Sequence, residues 1–113
     1  MINVKIAMDE EHHHIRMTLK GHAGQAEHGQ DIVCASASIL AYTVAQIVRA
    51  MEQHGDLLEE PTIDLNAGDA TISCRCREAD DFGELAHTFF VAHVGYLLLA
   101  HNYPEFVSLE SVW

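Results

Sequence analysis

Two stretches of this chain repeat apolar residues every three or four positions, and each follows a pair of segments in which apolar and polar residues alternate. Val33, Ala37, Leu40, Val44, Ile47, Val48 and Met51 make up the first stretch. Phe82, Leu85, Ala86, Phe89, Val94, Leu97 and Leu98 make up the second. The three-and-four spacing gathers side chains on one face of a helix, whereas alternation gathers them on one face of a strand. Ile2, Val4, Ile6 and Met8 alternate, as do Ile15, Met17 and Leu19, with the polar turn Asp9, Glu10, Glu11 between them. Residues 62–66 and 70–77 read as a second hairpin around Ala67, Gly68 and Asp69. Residues 106–112 alternate again, beyond a helix that must stop before Pro104, because the residue ahead of a proline is biased away from helix. The order is β-β-α-β-β-α-β. It predicts a single α+β domain over residues 1–113, with one mixed sheet and two helices packed against it.

The first helix is expected to start at Asp31, a residue type suited to the N-cap, and to run to about His54 with Gly55 as its stop. Small residues fill its opening turns: Ala35, Ser36, Ala37, Ser38 and Ala41. Asp80 or Asp81 is expected to cap the second helix. Between strand and first helix, residues 21–30 hold three glycines, two histidines and no apolar period. That composition predicts a mobile loop.

A chain of 113 residues can bury a working core without disulfides or a bound metal. Its formal charge is −11, from 6 basic and 17 acidic residues. This argues against a general nucleic-acid binder, which needs a basic face to displace phosphate counterions. It is compatible with a basic partner, drawn in by long-range attraction, and equally with a charge that only keeps the protein soluble. The alternating start, Met1 to Ile6, is unlike a signal peptide, and the apolar runs read as too short for a membrane span. Three cysteines is an odd number, which suits free thiols in a reducing, cytoplasmic setting.

The residues with chemical potential are concentrated in Gly21-His22-Ala23-Gly24 and in Gly29-Gln30-Asp31-Ile32-Val33-Cys34-Ala35. Cys34 is expected in the first helical turn, where unpaired N–H groups and the helix dipole favour a thiolate and could serve an oxyanion. His22, flanked by small residues on the upstream loop, could reach it if the loop doubles back. Cysteine and histidine are the minimum set for acyl transfer, in which sulfur attacks and the imidazole delivers a proton to the leaving amine. The plainer alternative is a small packed cysteine and a surface histidine.

The paired motif, glycine-histidine-alanine-glycine at 21–24 and aspartate-isoleucine-valine-cysteine-alanine at 31–35, followed by Ser38, resembles the signature of the ribosomal-processing cysteine protease (Prp) family. The likeness extends over the whole chain in length and element order. Members of that family are homodimers that remove an N-terminal extension from a large-subunit ribosomal protein, cutting after an aromatic residue. The resemblance implies that His22 and Cys34 are the catalytic pair and that Asp31 and Ser38 are accessory to them. It also implies that the loop holding Gly21, Gly24, His28 and Gly29 moves when substrate binds. The family commonly has alanine-alanine-valine-serine after the cysteine, where this chain has Ala35-Ser36-Ala37-Ser38. Asp31 could act as a helix cap or orient His22 as a third catalytic member. Ser38 could bond a substrate backbone or its own helix.

A second cluster, His12-His13-His14 with Cys74 and Cys76, could form a metal site only if two strand faces met. A polar strand edge and two unreactive thiols are the expected outcome, so no metal and no cofactor are expected. The apolar run 96–100 is wide for one helix face and suits a subunit interface. The expected partners are the N-terminal segment of a basic ribosomal protein and a second copy of the chain, with no direct nucleic acid and no membrane. Two other readings remain: a non-catalytic ribosome-assembly module that binds a basic protein, and a thiol redox sensor pairing Cys34 with Cys74 or Cys76.

Overall fold

A computed structural model describes residues 1–22 and 28–113, with residues 28–31 described in backbone only. The elements follow the expected order: β1 (Ile2–Asp9), β2 (His14–Lys20), α1 (His28–His54), β3 (Thr62–Asn66), β4 (Asp69–Arg75), α2 (Ala79–Asn102) and β5 (Val107–Val112). The five strands form one mixed sheet in the order β3-β4-β2-β1-β5. All neighbours are antiparallel except β1 and β5, which run parallel because the chain crosses over through α2 before returning.

The register explains how alternation becomes a core. Val4 faces Leu19 and Ile6 faces Met17 across β1 and β2. Met17 then faces Ile72, and Ile15 faces Cys74, across β2 and β4. Every strand therefore turns its apolar set to the same side, where both helices lie. From α1 come Val33, Ala37, Ala41, Val44, Ala45, Val48 and Met51, and from α2 come Phe82, Leu85, Phe89, Ala92 and Tyr96. The other sheet face is polar. It carries a cavity of about 450 Å3, lined by side chains such as Lys5, Thr18 and Glu110. These satisfy one another: Lys5 pairs with Glu110 at 3.6 Å and the Ser108 hydroxyl donates to Asn3 Oδ1 at 2.6 Å.

Several expectations need correction. The buried face of α2 is Phe82, Leu85, Phe89, Ala92 and Tyr96, a clean three-four repeat, whereas Val94, Leu97 and Leu98 are exposed. Apolar residues occupy more than one face of that helix, from Phe89 to Ala100 above all, so its period is ambiguous in sequence. Tyr96 is accepted inside because its hydroxyl finds a partner, the Ala37 carbonyl at 2.9 Å. The cap of α2 is Glu78, without a side-chain hydrogen bond. Asp80 and Asp81 instead occupy the first turn, where their charge complements the helix dipole. His13 belongs to the β1–β2 turn, at a φ of 50°. Contrary to expectation, both helices reach the length and apolarity of a membrane span, over Ile32–His54 and Ala79–Asn102. Few charges interrupt the apolar part of either helix, and each lays its buried stripe on the sheet as a core helix does.

Candidate active site

The site begins where β2 ends. Lys20 pairs in register with Asp69, and the two side chains also form an ion pair. The next residue, Gly21, has a φ of 97°, and its N–H donates to the Gly68 carbonyl at 2.9 Å. A side chain at Gly21 would collide with the Met1 carbonyl, so only glycine fits this close approach. The His22 carbonyl then accepts a 2.5 Å hydrogen bond from the Met1 nitrogen. The exposed His22 imidazole lies against Gly68, in the turn between β3 and β4.

Cys34 approaches from the opposite side, on α1, and is half-buried. One cavity of about 190 Å3 is lined by His22, Cys34 and Ser38 together with Gly68 and Asp69, over an apolar floor that includes Ile2 and Leu19. The Ser38 hydroxyl is not engaged in the back-bond to its own helix that Ser36 and Thr43 make. Ser38 borders this cavity. A thiol, an imidazole and a hydroxyl thus border one small space open to solvent, a set of groups that acyl transfer can use.

The helix that carries Cys34 starts at His28, three residues ahead of expectation. Asp31 therefore lies inside the first turn and not at the capping position. Cys34 lies in the second turn, beyond the residues whose N–H groups lack intrahelical partners. The expected help from the helix dipole and from unpaired N–H groups therefore does not reach Cys34, because that field fades within one turn. Of the loop residues, Gly21 abuts the cavity and Gly24 lies outside the described residues. His28 and Gly29 belong to α1 and not to a loop, and the side chains of His28 and Asp31 lie outside the description. Gly68 and Asp69 escaped the sequence reading. Their turn is recognisable, but nothing local ties it to His22; the link is the pairing of β2 with β4.

The second cluster does not assemble. Cys74 and Cys76 are buried in the core. His14 Nε2 pairs instead with Ser73 Oγ at 2.7 Å, and His12 with Asp9 at the same distance. Burial pushes the Cys74 thiol up to about 12 and the Cys76 thiol up to about 11, so both stay protonated near neutrality. That disfavours them as metal ligands and as redox partners. Asp9, Glu11 and His12 bring donor atoms within 4.8 Å of one another in the exposed β1–β2 turn.

The family model described as cysteine protease Prp matches residues 1–108. The chain is similar to the crystal structure of SMU.848 from Streptococcus mutans, with 27% identity and a TM-score of 0.69, over 99% of this chain and 94% of that one. It is similar to an essential ribosomal processing protease, Prp, from S. aureus in complex with a substrate peptide. There the identity is 25% and the TM-score 0.67, over 98% of this chain and 99% of that one. A structure of the S. aureus protease with a covalently linked product peptide gives 26% identity and a TM-score of 0.66 over the same shares. No curated protein matches the chain.

Proposed function

Because this chain belongs to the Prp family of cysteine proteases, we propose that it is a cytoplasmic endopeptidase that removes the N-terminal extension of a large-subunit ribosomal protein. Cys34 and His22 carry the reaction. The observation that supports this most directly is the single cavity bordered by both residues, which reach it from different elements.

The Cys34 sulfur attacks the scissile carbonyl while its proton passes to His22. His22 then protonates the departing amine, leaving a thioester that water hydrolyses with His22 as base. Ser38, with its hydroxyl free of its own helix, is placed to bond the substrate backbone. Asp31, in the first turn of α1, acts on the pair through its charge. A substrate peptide and a covalently linked product on the S. aureus relative support a peptide substrate and a covalent route. A ribosomal protein is basic, and a chain of −11 would attract it. The exposed Phe90, Leu97 and Leu98 of α2 support association of two copies.

The test is cleavage of a peptide that copies the N-terminus of the organism's own large-subunit ribosomal protein. Wild type is expected to cut it after one aromatic residue, and Cys34→Ala and His22→Ala to leave it intact. Binding without cleavage by wild type would instead indicate an assembly module.

A further inference from the structure

The turn between β3 and β4 takes no part in the acyl-transfer scheme, yet the His22 imidazole rests on it. A Cβ built on Gly68 would overlap Nε2 and Cε1 of His22 and come within 3.1 Å of Cδ2. The nearest atoms it would meet all belong to the ring, so the space a side chain would fill is the space the imidazole occupies. The Gly68 carbonyl also accepts the Gly21 N–H at 2.9 Å, which ties the same turn to the residue preceding His22.

We propose that Gly68 is a positioning residue for His22. Its bare Cα is the surface on which the imidazole lies, and it thereby sets how the ring faces Cys34 across their shared cavity. This rests on the reading of His22 and Cys34 as the acyl-transfer pair. The φ of 73° at Gly68 would by itself explain a glycine. Asparagine, however, tolerates that left-handed conformation and would satisfy the turn alone. The contact with the ring adds a separate demand, because any Cβ at this position would push the imidazole from the place it occupies.

Gly68→Asn separates the two demands, with Gly55→Ala as the control. Gly55 has a φ of 87° and nothing within 4 Å of a built Cβ, so its substitution strains the backbone without touching a neighbour. Steady-state cleavage of the ribosomal-protein peptide is the first readout. Gly68→Asn should lower kcat about 100-fold with KM little changed, since a misplaced catalytic group costs on that order. Gly55→Ala should keep wild-type kcat despite a lower melting temperature. The second readout needs no catalysis: a thermal-stability cycle of Gly68→Asn, His22→Ala and the double variant. Removing the ring should relieve the clash, so Gly68→Asn should lower the melting temperature in wild type and much less in His22→Ala. Additive shifts, or wild-type kcat in Gly68→Asn, overturn the proposal. If wild type itself cuts nothing, the acyl-transfer reading is what fails, and the stability cycle still decides whether Gly68 holds the ring.

Discussion

The buried hydroxyl of Tyr96 donates a 2.9 Å hydrogen bond to the carbonyl of Ala37, one helical turn beyond Cys34. This bond ties α2 to the part of α1 that carries the nucleophile. It also satisfies a phenol whose ionisation burial pushes well above the ordinary range. Tyr96→Phe preserves the shape and removes only the bond. It should destabilise the fold by about 1 kcal/mol, read as a lower urea midpoint with an unchanged slope. An unchanged midpoint would mean that packing alone seats the two helices.

Ser38 presents the opposite case, a hydroxyl that borders the cavity without bonding its own helix. Ser38→Ala should leave stability within about 0.5 kcal/mol, as expected where no bond is lost. If the hydroxyl bonds substrate, kcat/KM should fall about tenfold, the equivalent of one hydrogen bond. A change in stability without a change in cleavage would place Ser38 in the scaffold.

Cys74 and Cys76 predict how the protein behaves in alkali. Burial raises both thiols from 9.0, Cys74 to about 12 and Cys76 to about 11. Above pH 9 the unfolded chain releases these protons while the folded chain keeps them. The unfolded state then binds fewer protons, and stability must fall as pH rises. The loss should begin near pH 9 and continue to about 11 or 12, at up to about 1.4 kcal/mol per pH unit for each thiol. Urea titrations across that window should show the slope, and Cys74→Ala, although less stable at neutral pH, should show a shallower one.

Two glycines in α2 should respond differently to the same change. A Cβ on Gly83 meets nothing within 4 Å, whereas one on Gly95 would come within 2.8 and 2.9 Å of the two terminal methyls of Leu40 on α1. Alanine restricts the unfolded chain and favours the helix, so Gly83→Ala should stabilise by about 0.5–1 kcal/mol. Gly95→Ala carries the same benefit but forces Leu40 to move, and its melting temperature should lie below that of Gly83→Ala. Equal gains would show that Leu40 shifts freely.

The strands were legible in the sequence because alternation survives folding unchanged; β3 occupies the residues expected of it, Thr62–Asn66. The start of α1 was not, because Gly29 and Gln30 give no helical signal and Asp31 is the residue type that usually precedes one. The orientation of α2 was obscured by Val94, Leu97 and Leu98, which are as apolar as the residues it buries. His22 and Cys34 stood out by chemical type and by motif. The part played by Gly68 depends on β2 pairing with β4, a contact between distant segments that no local pattern announces.

The charge of −11 makes the proposed encounter with a basic peptide sensitive to salt. Attraction between the full-length substrate and the enzyme acts over several ångströms of solvent, and at about 0.1 M salt it is screened beyond roughly 10 Å. Raising ionic strength should therefore lower kcat/KM for the basic full-length protein while leaving kcat unchanged, because association is slowed and the bound complex reacts as before. A short peptide with its basic residues replaced supplies the control and should be nearly indifferent to salt. If salt affects both substrates equally, the charge serves solubility alone. If it affects neither, recognition lies in the cavity around Cys34 and not in the field of the whole molecule.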